Sequence, residues 1–268
     1  MQRREFLTTG IGGAFLAGAA VDAAGGGRQK GSAAPEYYLW RHFVLRTGTQ
    51  PRRLAEFLQT AAVPALNRLG HSPIGVFEVV AGVPSPSVFL LIPCPTLESA
   101  GTIESRLERD EAFTRAAAAY IEAPATDPAY VRQEVTLLSA IPKLPRIEVP
   151  AATASGGPRL FELRTYESHS ERAHRMKVRM FDEMGEIEIF RKVGLTPVFF
   201  GRTLAGTRMP SLTYMLVHDN MAAREKSWDA FRTSPDWKAL AATPGYSDPE
   251  IVSNITTVYL RPSSYSQV

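Results

Sequence analysis

The sequence predicts an α+β fold in which one β-α-β-β-α-β unit is used twice, and three observations predict it. Strand-like and helix-like periodicities follow one another in the same order in both halves of the 268-residue chain. A stretch rich in Pro, Ala, Gly and Ser, 140–158, separates the halves and reads as a linker. Turn residues also recur at one spacing: Gly70, Pro73, Ala81 and Gly82 return as Gly194, Pro197, Ala205 and Gly206, each 124 positions later.

In the first unit, 37–45 is aromatic and β-branched with few breakers, hence a strand. Residues 51–69 carry Leu54, Phe57, Leu58, Ala61 and Ala65 at helical spacing before Gly70, with Pro64 expected to kink or shorten the helix. Strands 73–81 and 87–92 flank a Gly-Val-Pro-Ser-Pro turn, 97–121 is helical and 129–138 is a strand. In the second unit, strand 160–166 precedes a helix over 170–193 ended by Gly194. Strands 198–204 and 212–217, a helical stretch 222–242 and strand 251–260 complete it. Within 222–242, Trp228 and Phe231 share a face, and Ser234-Pro235 caps a second helix anchored by Trp237. Leu107 and Phe113 match Phe231 and Trp237. After small insertions Arg41 matches Arg164, and Asp127-Pro128 matches Asp248-Pro249.

This order is the ferredoxin-like split-βαβ arrangement: a four-stranded antiparallel sheet with helices on one face. The uncovered faces can bury each other, so tandem ferredoxin-like repeats forming a pseudo-dimeric α/β barrel are expected. The domains read as a first unit over 36–140, a linker over 141–158 and a second unit over 159–268.

Ahead of them, 1–24 reads as an export leader. Arg3-Arg4, Phe6-Leu7 and a short glycine-rich apolar run resemble a twin-arginine signal. That implies the twin-arginine translocation machinery as a partner, folding before export, and a periplasmic or otherwise extracytoplasmic destination. No stable membrane span is expected after cleavage, and 25–35 reads as a flexible tether. The net charge of +3 is spread without basic blocks, so nucleic acid is not an expected partner. The single cysteine, Cys94, excludes an intramolecular disulfide and reads as a small buried hydrophobe.

No nucleotide-binding glycine loop, nucleophile elbow or zincin motif is present. The histidines, His42, His71, His169, His174 and His218, lack metal-ligand spacing and read as surface or turn residues. No cofactor is evident and no metal is expected.

The second half resembles the NIPSNAP family. The resemblance rests on Phe161-Glu-Leu-Arg-Thr-Tyr166, Glu186-Ile-Glu-Ile-Phe190 with Gly194, Trp228-Asp-Ala-Phe231 with Asp236-Trp237, and Leu260-Arg-Pro-Ser-Ser-Tyr265. The first half is a degenerate copy, with Trp40-Arg41-His42 and Ala112-Phe113 at matching places. The resemblance implies a dimeric α/β-barrel architecture, in a superfamily that includes small monooxygenases and haem enzymes. It implies no catalytic residues.

Alternation in strand 160–166 separates Phe161, Leu163 and Thr165 from Glu162, Arg164 and Tyr166. With the apolar set against the helices, Glu162, Arg164 and Tyr166 face the opposing sheet. The repeat adds Leu39, Arg41 and Phe43 to that space, and Tyr214 converges on it. Arg41, Glu162, Arg164, Tyr166 and Tyr214 are therefore the candidate ligand-binding residues. The alternative is a structural Arg–Glu pair fixing the interface. Glu186 and Glu188 read as solvated charges late in their helix. Three functions follow: binding of a small organic ligand between the two sheets, a cofactor-poor monooxygenase or lyase in which Arg164, Tyr166 and Tyr214 stabilise an anion, or a protein-interaction module. A homo-oligomer is compatible with each.

Overall fold

The computed structural model describes residues 34–268; the leader read over 1–24 lies outside the described residues. Eight strands form one closed antiparallel barrel. The first half supplies β1 (Tyr37–Val44), β2 (Gly75–Ala81), β3 (Ser87–Cys94) and β4 (Arg132–Ala140). The second supplies β5 (Leu160–Glu167), β6 (Thr196–Ala205), β7 (Ser211–His218) and β8 (Asn254–Pro262). Around the barrel the order is β1-β3-β2-β8-β5-β7-β6-β4, returning to β1. Each half thus keeps the ferredoxin-like order, and each sheet's edge strands pair with the other half's: β2 with β8 and β4 with β6. Closure removes the open edges that two separate sheets would expose.

The duplication extends to side-chain detail. Thr96 and Asn220, 124 positions apart, each cap a helix through a side-chain oxygen. Asp110 accepts from the Phe113 amide as Ser234 accepts from the Trp237 amide. Arg53 pairs with Asp127, and its counterpart Lys177 pairs with Asp248. The Ser234-Pro235 turn caps a helix as its residues require.

The helices are more broken than their periodicity suggests. The first runs α1 (Thr49–Phe57), a π-helical turn (Leu58–Ala62) and α2 (Val63–Arg68), whose first turn contains Pro64. The residues 97–121 divide into α3 (Leu97–Gly101), α4 (Ile103–Glu108) and α5 (Glu111–Ile121). A four-residue helix, α6 (Ala152–Ser155), follows in the linker. The stretch 170–193 is α7 (Glu171–Asp182) and α8 (Glu186–Lys192), divided at Gly185, whose φ is 88°. Glu186 and Glu188 therefore open a helix, where its dipole favours them, instead of closing one. Then come α9 (Met221–Thr233), α10 (Pro235–Ala241) and α11 (Asp248–Ile251).

Three apolar clusters hold this together. One lies between the first-half helices and their sheet, one between the second-half helices and theirs. The third fills the barrel and includes Tyr38, Trp40, Phe77, Phe89, Phe161, Leu163, Phe199 and Leu260. Strands therefore bury both faces, and alternation cannot say which set points inward.

Gly82 sits where the β2–β3 hairpin crosses β8. Its φ is 114°, and a Cβ there would clash with the Thr257 carbonyl oxygen. Both the left-handed backbone and the clash oppose a side chain. Gly82→Ala is expected to cost about 1–3 kcal/mol, read as a lower midpoint in denaturant unfolding.

Candidate ligand site between helices and sheet

Strand β5 is turned over relative to the expectation. Phe161 and Leu163 belong to the barrel interior, whereas Glu162, Arg164 and Tyr166 face the helices. Arg41 reaches Glu104 of α4, and Tyr214 lies in the second-half helix–sheet cluster. All five candidate residues thus sit outside the barrel, and none lines the space between the sheets. The reason is chemical. Filling the barrel calls for Trp and Phe, and Glu162 finds its partners on α9.

Glu162 is fully buried and accepts from Trp228 Nε1 at 2.8 Å, Arg224 Nη2 at 2.9 Å and Nε at 3.1 Å, Arg164 Nη1 at 3.0 Å and His218 Nε2 at 3.2 Å. Burial pushes its carboxyl up, but the bonds from His218, Arg224 and Trp228 outweigh this and hold it well below the usual carboxylate range. Arg164 stacks on Trp228, 4.6 Å from the ring centre. Tyr214 is buried and donates to the Tyr166 hydroxyl at 2.9 Å. Nearby, Lys177 bonds Glu186 at 3.2 Å, both side chains fully enclosed, and burial pushes Glu186 up to about 7. Glu186 is therefore not the solvated charge its sequence context suggests. Four of these five groups, Glu162, Arg164, Tyr166 and Tyr214, together with the Lys177–Glu186 pair, make a densely bonded structural core, in which Arg164 Nε is left without a partner.

The first half differs at the same places. Phe190, Phe200, Tyr214 and Phe231 pack together beneath α8 and α9. Their counterparts, 124 positions earlier, are Leu66, Val76, Leu90 and Leu107. Strand register confirms the correspondence: Arg164 lies opposite Tyr214 as Arg41 lies opposite Leu90. Glu104 replaces Trp228, and Ala62 replaces Glu186. Aromatic volume is lost on one side of the pseudo-twofold, and a cleft of about 290 Å³ stands there, lined by Leu66, Leu90, Leu107, Phe57, Phe113 and Tyr120 among others.

Two hydrogen-bond donors in this largely apolar cleft, whose wall also carries Glu104, Glu108 and Gln133, lack partners: Arg41 Nε and the Tyr120 hydroxyl. Arg41 is otherwise held by Glu104 at the rim. The Tyr120 ring is stacked on Phe57 at 3.8 Å, and burial raises its phenol, so it remains a donor near neutrality. Unpaired buried donors are costly and call for an acceptor. Cys94 offers no nucleophile: it is buried and burial pushes its thiol up to about 11.

Sequence reasoning kept Arg41 but missed Tyr120, since α5 is an alanine-rich helix whose register against the sheet no motif marks. It also took the histidines for surface or turn residues. His42, His71, His174 and His218 are buried.

The fold is a closed eight-stranded antiparallel α/β barrel built from two ferredoxin-like halves of one chain. Residues 161–267, the second half, match the NIPSNAP family model. No curated protein is significantly similar in sequence. Among solved structures, a candidate monooxygenase from Lactobacillus acidophilus NCFM is similar at 9% identity and a TM-score of 0.55, over 85% of this chain and 94% of that one. A candidate monooxygenase from Fusobacterium nucleatum is similar at 5% identity and a TM-score of 0.51, over 85% and 93%. An anthrone oxidase-like protein is similar at 12% identity and a TM-score of 0.50, over 87% and 93%. These are likenesses of fold.

Proposed function

We propose that this is an exported binding protein. It takes a flat, largely apolar organic molecule with a carbonyl, carboxylate or phenolate oxygen into the first-half cleft. The carrying observation is the pair of unpartnered donors, Arg41 Nε and the Tyr120 hydroxyl, in a cleft lined mainly by apolar and aromatic side chains, with Glu104, Glu108 and Gln133 also on its wall. Apolar walls with a few convergent polar groups are the usual make-up of a small-molecule site. The arginine suits an anionic oxygen. The ligand's place is then between helices and sheet, not between the two sheets.

Calorimetry with 2-naphthoate tests it, with naphthalene as the reference lacking an acceptor. The carboxylate should bind the native protein, and Arg41→Ala and Tyr120→Phe should each weaken it by roughly tenfold, with folding retained. Equal affinity for both compounds, or unchanged affinity in the double variant, contradicts the proposal.

Export rests on the Arg3-Arg4 leader. Changing both arginines to lysine should leave the protein in the cytoplasm of a host with the twin-arginine pathway. Cell fractionation reads the outcome, and undiminished export of the variant argues against this route.

A further inference from the structure

The barrel is packed through most of its length but open at one end, between the tips of the β2–β3 and β6–β7 hairpins. A second cleft of about 190 Å³ enters there, against Trp40, Phe89, Leu163 and Val258. Above this apolar floor the wall is polar. Thr165 bonds Thr213 at 3.1 Å and Thr203 bonds Ser211 at 2.7 Å. Arg208 Nη1 donates to Thr256 at 2.9 Å, and Arg132 Nε donates to Glu134 at 2.6 Å.

His42 is the group this arrangement leaves unfinished. It is buried and lies parallel to Phe89, their ring centres 4.2 Å apart. Its Nδ1 meets Glu134 Oε2 at 3.3 Å, whereas Nε2 has no partner. A carboxylate at Nδ1 places the ring proton there and leaves Nε2 as a bare acceptor. Burial lowers the basicity of His42, with Glu134 opposing and Arg132 and Arg208 adding to the effect, so the neutral ring is favoured. Arg132, Arg208 and Glu134 together give the mouth one net positive charge.

We propose that this barrel mouth is a second binding site, for a small monoanionic hydroxy acid. Its hydroxyl donates to His42 Nε2, its carboxylate meets Arg208 at the rim, and its apolar body rests on Trp40 and Phe89. Nothing in this reading depends on the helix–sheet cleft. The two sites share no lining residue.

The test is calorimetry with 4-hydroxybenzoate on Leu66→Phe protein, in which the helix–sheet cleft is filled. Binding is expected to persist there and to weaken roughly tenfold or more in Arg208→Ala and in His42→Phe, made in the same background. Benzoate, which lacks the hydroxyl, should bind more weakly than 4-hydroxybenzoate to the parent and equally to His42→Phe. Should His42→Phe not fold, the nitrogen NMR signal of His42 Nε2 decides, since it must move on addition of 4-hydroxybenzoate. Absence of binding to Leu66→Phe protein overturns the proposal. So does unchanged affinity in Arg208→Ala, or an Nε2 signal that stays put.

Discussion

Replacing Glu162 by alanine is expected to destabilise the protein by about 3–5 kcal/mol, the range for removing one partner from a buried ion pair. The loss goes beyond one pair. Arg164, Arg224, Trp228 and His218 all direct donors at this carboxylate, and Arg164 sits largely buried with no other acceptor among its hydrogen bonds. Denaturant unfolding should show the loss as a lower midpoint. Glu162→Gln should cost less, since its carbonyl still accepts, but more than an exposed substitution. The same carboxylate sets an acid limit. Its folded pKa lies below the ordinary value of 4.5, so its contribution is complete above that value and drains away as the pH falls through the folded pKa. In Glu162→Gln, stability should depend less steeply on pH below about 4.5. An equal slope in the variant and the native protein contradicts this assignment.

Truncating Phe190 to alanine is expected to cost about 3–5 kcal/mol. Its ring is 1% exposed and packs edge-on to Phe181 at 5.6 Å, Trp228 at 5.7 Å and Phe231 at 5.0 Å. Phe190→Leu copies the residue of the first half and should cost less, about 1–2 kcal/mol, by analogy with smaller core truncations. It should also begin to open in the second half the kind of space that Leu66 leaves in the first. Thermal unfolding orders the variants, with native above Phe190→Leu above Phe190→Ala. An alanine variant within 1 kcal/mol of native would mean that the cluster relaxes over the gap.

Most of the fold was legible because the duplication repeats turn residues, caps and apolar positions at one spacing. Gly70 and Gly194, or Asp110 and Ser234, do the same local work twice, and local work is what a sequence displays. The face of β5 was not legible. Phe161 and Glu162 are both buried, one in the barrel and one under α9, so alternation identified two sets without an inside. The break at Gly185 was hidden by helical periodicity on both sides of it, which also hid the pairing of Glu186 with Lys177. Arg41 was legible through the repeat, as the counterpart of Arg164. The cleft beside it was written in the sequence as Leu66, Leu90 and Leu107 against Phe190, Tyr214 and Phe231. It could have been read from the repeat alone, by comparing volumes at matched positions. Tyr120 and the His42–Glu134 pair depend on tertiary register and carry no such signal.

The asymmetry between the halves is the central claim, and refilling the first half tests it most directly. Leu66→Phe combined with Leu90→Phe gives the cleft two of the four aromatic rings that the second half holds at matched positions, without the hydroxyl that Tyr214 there donates to Tyr166. The account predicts a folded protein at least as heat-stable as the native one, with calorimetric binding of 2-naphthoate lost. Undiminished 2-naphthoate binding by that double variant would contradict it.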